Sequence, residues 1–172
     1  MIHIIVAIDR HGAIGKNGDL LFHIREDLRR FKALTTGNTL IMGRRTFESL
    51  PGGALPRRRN IVVTRSDTFA AEGIETARTP AEALTMAAEG PGDTFVIGGG
   101  QIYDALLPHA DILDLTIVDR EDPDADTFFP PLELDNYRVA AIEPGDGYRF
   151  VTLRRKHGTP VDNFGVRNDK MQ

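Results

Sequence analysis

The chain has 172 residues, no cysteine and a formal net charge of −4. That length suits a single domain with a sizeable core, and the missing thiols exclude disulfides, thiol catalysis and cysteine-held metals. The acidic balance argues against a general nucleic-acid binder, the scattered histidines offer no metal-ligand spacing, and no apolar run approaches the roughly 18 residues of a membrane span.

The chain enters its first strand at once. Ile2-His3-Ile4-Ile5-Val6-Ala7-Ile8 is the mostly apolar run of a strand buried on both faces. No basic-then-apolar leader precedes it, which predicts a cytoplasmic protein. Residues 10–24 read as a long loop broken by Gly12, Gly15 and Gly18. That glycine spacing is not a dinucleotide fingerprint and is given no phosphate role. Loops of this length inside a compact domain are usually functional. A helix is expected over 25–35, ending near Gly37. Thr39–Met42 is the next strand, with Gly43 its turn and a short helix over 44–50 before Pro51-Gly52-Gly53.

Strands follow at Asn60–Thr64 and, weakly, Ile74–Ala77. Pro80 opens a helix to Ala88, as proline favours the first helical position. Thr94–Ile97 is a strand, 100–107 a helix and Ile112–Val118 a strand. Tyr137–Ile142 and Tyr148–Arg155 flank Pro144-Gly145-Asp146-Gly147, a hairpin signal. Strands alternating with helices and closing on a hairpin predict an α/β fold. Its central sheet of about eight strands is mainly parallel, with an antiparallel C-terminal edge and helices on both faces. Residues 157–172 read as a polar tail beyond a domain of residues 1–156.

Asp27 is the most telling residue. With Leu28, Phe31 and Leu34 it follows helical spacing, so a carboxylate heads an apolar stripe, while Arg29, Arg30 and Lys32 fall largely elsewhere. Lost solvation raises a carboxyl pKa, which suits proton chemistry near neutral pH. The same position also suits a carboxylate that answers the helix macrodipole. Two strand-to-helix turns, Met42-Gly43-Arg44-Arg45-Thr46 and Ile97-Gly98-Gly99-Gly100-Gln101-Ile102, let backbone approach a ligand and present unpaired N–H groups to anions. Such strand ends are where open α/β sheets bind ligands, although each glycine also suits a plain tight turn. Basic residues cluster at Arg44-Arg45, Arg57-Arg58-Arg59 and Arg65, fitting a small anionic ligand. A solvated loop suffices for Arg57 and Arg59.

Taken in order, Asp27-Leu28-x-x-Phe31, Thr39 to Leu50, Leu55 to Val63 and Phe95 to Tyr103 resemble dihydrofolate reductase of the single-chain bacterial type. The likeness runs from Ile2 to about Lys156. It implies NADPH held by Gly43, Arg44, Arg45 and Thr46 and by Gly98, Gly99, Gly100, Gln101, Ile102 and Tyr103. Ala7 and the lid residues Ile14, Gly15 and Leu20 also border the cofactor. Arg44, Thr64, Arg65 and Arg78 fall where the family holds the adenosine 2′-phosphate, and the Gly98–Gly99 bond is implied to be cis. Ile5, Ala7, Leu28, Phe31, Leu50 and Leu55 match the dihydrofolate pocket. The carbonyls of Ile5 and Ile97 match acceptors for the pterin amino group. Arg58 matches the grip on the glutamate carboxylate, a bond suited to a guanidinium fork. Thr116 matches the hydroxyl that bonds the active-site carboxylate.

The reaction so implied passes hydride from the nicotinamide to pterin C6, with protonation at N5 promoted by Asp27 under a lid that excludes water. The resemblance also implies a monomer, inhibition by antifolates, and a place in one-carbon metabolism and thymidylate synthesis. Three positions depart from the family: Phe22 stands where tryptophan is usual, and Leu21 and Arg25 where proline is common. Phenylalanine has no N–H to hold a water. Two other readings share the fold. The related NADPH reductase of riboflavin synthesis has no need of Asp27 and Arg58 at these spacings. A non-catalytic NADPH-binding protein has no reason to keep Asp27 and Thr116.

Overall fold

The computed structural model describes residues 1–156; the expected polar tail, 157–172, lies outside the described residues. An eight-stranded sheet forms the centre. Its strands are β1 (Ile2–Ile8), β4 (Thr39–Gly43), β5 (Arg59–Val63), β6 (Ile74–Ala77), β7 (Thr94–Gly98), β8 (Ile112–Val118), β10 (Tyr137–Pro144) and β11 (Tyr148–Arg155), in the order β10-β11-β8-β1-β7-β4-β5-β6. From β8 through β6 every pairing is parallel, and β11 then β10 add antiparallel at the other edge. This is the architecture the alternating pattern predicts.

Strand alternation splits the apolar residues between two faces. Ile4, Ile41, Ile61 and Val96 join one cluster, packed under α3 (Pro80–Ala88) and α4 (Gly100–Leu106). Ile5, Leu40, Met42, Val62 and Phe95 join the other. Phe31 and Leu34 of α1 (Arg25–Thr35) and Phe47 of α2 (Arg44–Glu48) cover that second cluster. Thr79 caps α3 by accepting from the Glu82 N–H at 3.1 Å, with Pro80 at the first helical position. Among the described residues no helix is long and apolar enough to cross a membrane.

The expectation of a structureless loop over 10–24 is overturned. The segment folds as β2 (Ala13–Lys16) and β3 (Asp19–Leu20), and β2 also pairs with β9 (Thr127–Phe128). Asn17 and Gly18 turn this hairpin with φ of 52° and 79°. Asn-Gly is a sequence that favours a two-residue turn of this hand, so the signal lay in the sequence. The expected helix over 44–50 stops at Glu48, and that over 100–107 at Leu106.

Candidate active site

Asp27 stands in the first turn of α1, and the hydroxyl of Thr116 on β8 donates to its Oδ1. These residues are far apart in sequence, and the sheet brings them together. Thr116 lies in register with Ala7 on β1 and with Phe150 on β11, so three strands present one row beneath the start of α1. Burial pushes the Asp27 carboxyl above its ordinary range, against the opposing pulls of the Thr116 hydrogen bond and the Arg30 charge. Both readings of Asp27 therefore hold. It is a first-turn acid, and it is also a desolvated one.

Arg30 corrects the sequence reading, which set it apart from Asp27. Three residues apart on a helix is the same face, and the Arg30 charge acts on the Asp27 carboxyl. The pocket wall beyond is apolar. Phe31, Leu50, Leu55 and Ile97 are half-buried against the cluster that contains Ile5. Leu28 is 56% exposed and is not packed against that cluster. The Ile5 carbonyl accepts from the buried Tyr103 hydroxyl at 2.9 Å. Tyr103, expected only at the cofactor, thus also ties α4 to β1 beside Asp27's side of the sheet. A carbonyl has two lone pairs, so Ile5 can accept once more. Burial, then the Asp27 charge, raise the Tyr103 hydroxyl far enough to keep it a donor.

Arg58 reaches the end of α1. Its Nε donates to the Pro56 carbonyl at 2.9 Å and its Nη1 to Thr35 Oγ1 at 3.1 Å. Burial, then Arg57, lower the guanidinium, which remains a cation. Sequence reasoning gave Asn60 no role. It is buried and staples this loop, exchanging bonds with the backbone of Leu55 and donating to the Arg58 carbonyl at 2.9 Å. Arg57 takes a left-handed φ of 60°. The solvated reading of Arg59 is overturned. Its guanidinium forks onto Glu75 at 2.6 and 2.9 Å and donates to the Met86 carbonyl at 2.8 Å, tying β5 to β6 and α3.

The two glycine turns meet. β4 and β7 are neighbours, so Gly43 and Gly98 end adjacent strands. A methyl built on Gly43 lies 3.3 Å from Ile102, and one on Gly98 lies 3.3 Å from Thr46 Oγ1. Gly98 also has a φ of 135°, and its bond to Gly99 is cis, as the resemblance implies. Neither α2 nor α4 carries a side-chain cap, which leaves first-turn N–H groups facing this cradle of bare backbone. Gly100 and Gln101 open α4, with Ile102 and Tyr103 buried and Gln101 exposed.

Gly43, Val63 and Ala77 form a register row across β4, β5 and β6. Arg44, Thr64 and Arg78 each come one residue after that row, with Arg65 next to Thr64, so parallel pairing gathers them at one sheet edge. Thr64 is buried, and Arg45 and Arg65 are exposed. Arg44 bonds Glu48 at 2.6 Å and stacks over Phe69, and Arg78 pairs with Asp67. The lid sheet borders the same cradle: Thr127 lies 3.2 Å from a methyl built on Gly100. In the lid itself, Ile14 and Phe22 are buried, Gly15 pairs with Leu20, and Leu20 is exposed. Asp9, unforeseen, roots it by accepting from the N–H groups of His11 and Ala13 at 2.8 and 2.9 Å.

A family model described as dihydrofolate reductase matches residues 1–154. The chain belongs to the dihydrofolate reductase family. The Bacillus subtilis dihydrofolate reductase is 36% identical over 171 residues, covering 95% of this chain and 100% of the relative. The type 3 dihydrofolate reductase of Salmonella typhimurium is 44% identical over 163 residues, covering 91% and 99%. A solved Enterococcus faecalis dihydrofolate reductase, complexed with NADP(H) and RAB-propyl, superposes with a TM-score of 0.84 at 34% identity, covering 91% of this chain and 97% of that one. Membership makes the protein an oxidoreductase.

Proposed function

We propose that Asp27, seated on Thr116, orients a pterin and promotes its protonation at N5 while NADPH lies in the cradle of Gly43 and Gly98. As a member of its family the protein is an oxidoreductase that reduces 7,8-dihydrofolate to tetrahydrofolate with NADPH. When bound, the nicotinamide cofactor supplies the hydride. The protein's own residues do the rest. Asp27 holds a proton-linked carboxyl in an apolar wall, raised by burial. Phe31, Leu50 and Leu55 exclude water from the ring, Leu28 covers it from α1, and the Ile5 and Ile97 carbonyls accept from its amino group. Arg58, held by Pro56 and Thr35, takes the acidic tail. The bare backbone of the two glycine turns suits a pyrophosphate, and the glycines let the turns pack this closely, because a side chain at Gly43 would crowd Ile102 and one at Gly98 would crowd Thr46. Arg44, Thr64, Arg65 and Arg78 favour a 2′-phosphate. Gln101, Ile14, Gly15 and Leu20 flank the nicotinamide end under the lid.

The observation that carries this reading is the hydroxyl-bonded, half-buried carboxyl at the head of an apolar helix face. The folded unit is residues 1–156 acting as a monomer, with antifolates as competing ligands. The test is the decay of nicotinamide absorbance when dihydrofolate is added to enzyme and NADPH. Steady turnover supports the reading, and binding of NADPH without turnover defeats it.

A further inference from the structure

The underside of α1 rests on a four-residue tile. On β8, Asp114 and Thr116 are two apart and so share a face. On β11, Thr152 is in register with Asp114, and Phe150 with Thr116. Asp27 occupies the Thr116 corner. Arg30, three residues on, meets the other three. Its Cζ lies 4.6 Å from the centre of the Phe150 ring, its Nη2 is 3.4 Å from Thr152 Oγ1, and the same nitrogen is 3.7 Å from Asp114 Oδ1. Asp114 is buried and gives its other oxygen to His3 Nδ1 at 2.7 Å. A cation and the carboxyl on one helix face thus dock on one patch of sheet, and a second carboxylate balances the cation.

We propose that Arg30 is a positioning residue that clamps α1 to the β8–β11 surface and, with Asp114, sets the charge felt by Asp27. This rests on the role given to Asp27 above. A guanidinium suits the task because it stacks on an aromatic face and donates sideways at once. Its charge opposes the desolvation of Asp27. The other ionisable groups around Asp27 do not compete with it near neutral pH. Tyr103 on α4 is raised by burial and then by Asp27 itself. Tyr148 on β11 is raised by desolvation and by the charges of Glu26, Asp146 and Asp27. Both stay neutral. That leaves Arg30 as the cation acting on Asp27, balanced in turn by Asp114, whose other oxygen is bonded to the titratable His3.

The sign follows directly. Removing the cation makes a proton at the Asp27–pterin pair easier to hold, whichever member carries it. Removing Asp114 frees the cation to act more strongly and makes that proton harder to hold. The experiment is the pH profile of single-turnover reduction by the full-length enzyme with NADPH and dihydrofolate, with NADPH affinity measured alongside. Arg30→Met is expected to move the midpoint upward and cut the low-pH plateau roughly three- to tenfold, within the range shown by coupled neighbours, with NADPH affinity native. Asp114→Asn is expected to move the midpoint downward. Arg30→Lys keeps the charge and is expected to keep the native midpoint while losing part of the plateau. A merely structural role moves no midpoint, so native midpoints in both Arg30→Met and Asp114→Asn overturn the proposal. Shifts in the same direction overturn it too. If Arg30→Met does not fold, the sign in Asp114→Asn decides alone, and anything other than a downward shift refutes the clamp. Asp27→Asn serves as the reference. Native activity there defeats the role of Asp27 itself and takes the clamp with it, whereas a lost rate with unmoved Arg30 and Asp114 profiles defeats the clamp only.

Discussion

The proposed substrate side and the proposed cofactor side of this site are organised differently. Around Asp27 most polar groups are bonded within the fold against apolar wall, Thr116 to Asp27, Tyr103 to Ile5 and Arg58 to Thr35, while the Arg30 Nη1 is buried without a hydrogen-bond partner. Around the glycine turns only the backbone is set. The arginines there are exposed, and Arg44 and Arg78 are paired with acids, Glu48 and Asp67. The difference follows from solvation. A desolvated polar group must be satisfied within the fold, so its geometry is built in. A surface cation keeps water or a weak partner and can exchange it for a phosphate.

That contrast is open to attack, most sharply at Asp27. Asp27→Asn should lower the rate of dihydrofolate reduction at pH 7 by about 10²–10⁴-fold, the usual contribution of general acid–base groups. NADPH affinity should stay native. A drop of less than about tenfold on that scale removes the role assigned to Asp27.

Arg58 comes next. Losing one partner of a desolvated charge pair costs about 2–5 kcal/mol, so Arg58→Ala should raise the dihydrofolate KM strongly. A pterin without the glutamate tail should be much less affected. Arg57→Ala should leave KM near native. Arg59→Ala should too, but it should lower Tm because it breaks the Glu75 fork. Comparing KM across the three variants checks this, and a larger change at Arg57 or Arg59 contradicts the choice of Arg58.

The cofactor side should respond more gently. NADPH should be preferred to NADH, since charge-assisted bonds contribute about 1.5–3 kcal/mol each. Arg44→Ala should narrow that preference, with the effect reduced because Glu48 already holds the guanidinium. Equal kcat/KM for the two cofactors in the native enzyme contradicts the 2′-phosphate assignment.

The smallest effect is on stability. A carboxyl raised in the fold binds more protons folded than unfolded, so its favourable contribution is complete below the unfolded pKa and is lost as pH rises through the folded one. At pH 8 the buried Asp27 carboxylate is therefore a liability. Asp27→Asn should raise Tm there, and the gain should vanish below about pH 4, the ordinary range of Asp. A lower Tm at pH 8 contradicts burial as the dominant cause of the shift.

Much of this was legible in the chain because the signals are local. Strand runs, Pro80, the glycine turns and the Asp27 stripe each declare themselves within a few residues, and their order carries the family resemblance. What escaped was mostly pairing across the sheet. Asp114 reads as one acid in an apolar strand until β8 is set in register with β1 and β11, which supply His3 and Thr152. Arg59 reads as one of three exposed cations until β6 brings Glu75 beside it. The Asn17-Gly18 hairpin is a different kind of miss: its signal was local, but the glycine-rich composition around it reads as loop.

The tile under α1 also bears on how the site comes into being during folding. Asp27 and Thr116 are 89 residues apart, and Arg30 and Thr152 are 122 apart. The chain must close both loops before the site exists, and such long-range closures slow folding. The glycine cradle draws on shorter closures, because β4, β7 and the turns behind them lie within residues 39–103. Arg30 cannot be seated until the last strand, Tyr148–Arg155, has paired with β8. The acid-bearing half of the site therefore depends on the longest closures in the chain, while the residues of the glycine cradle all lie within its first 103 positions.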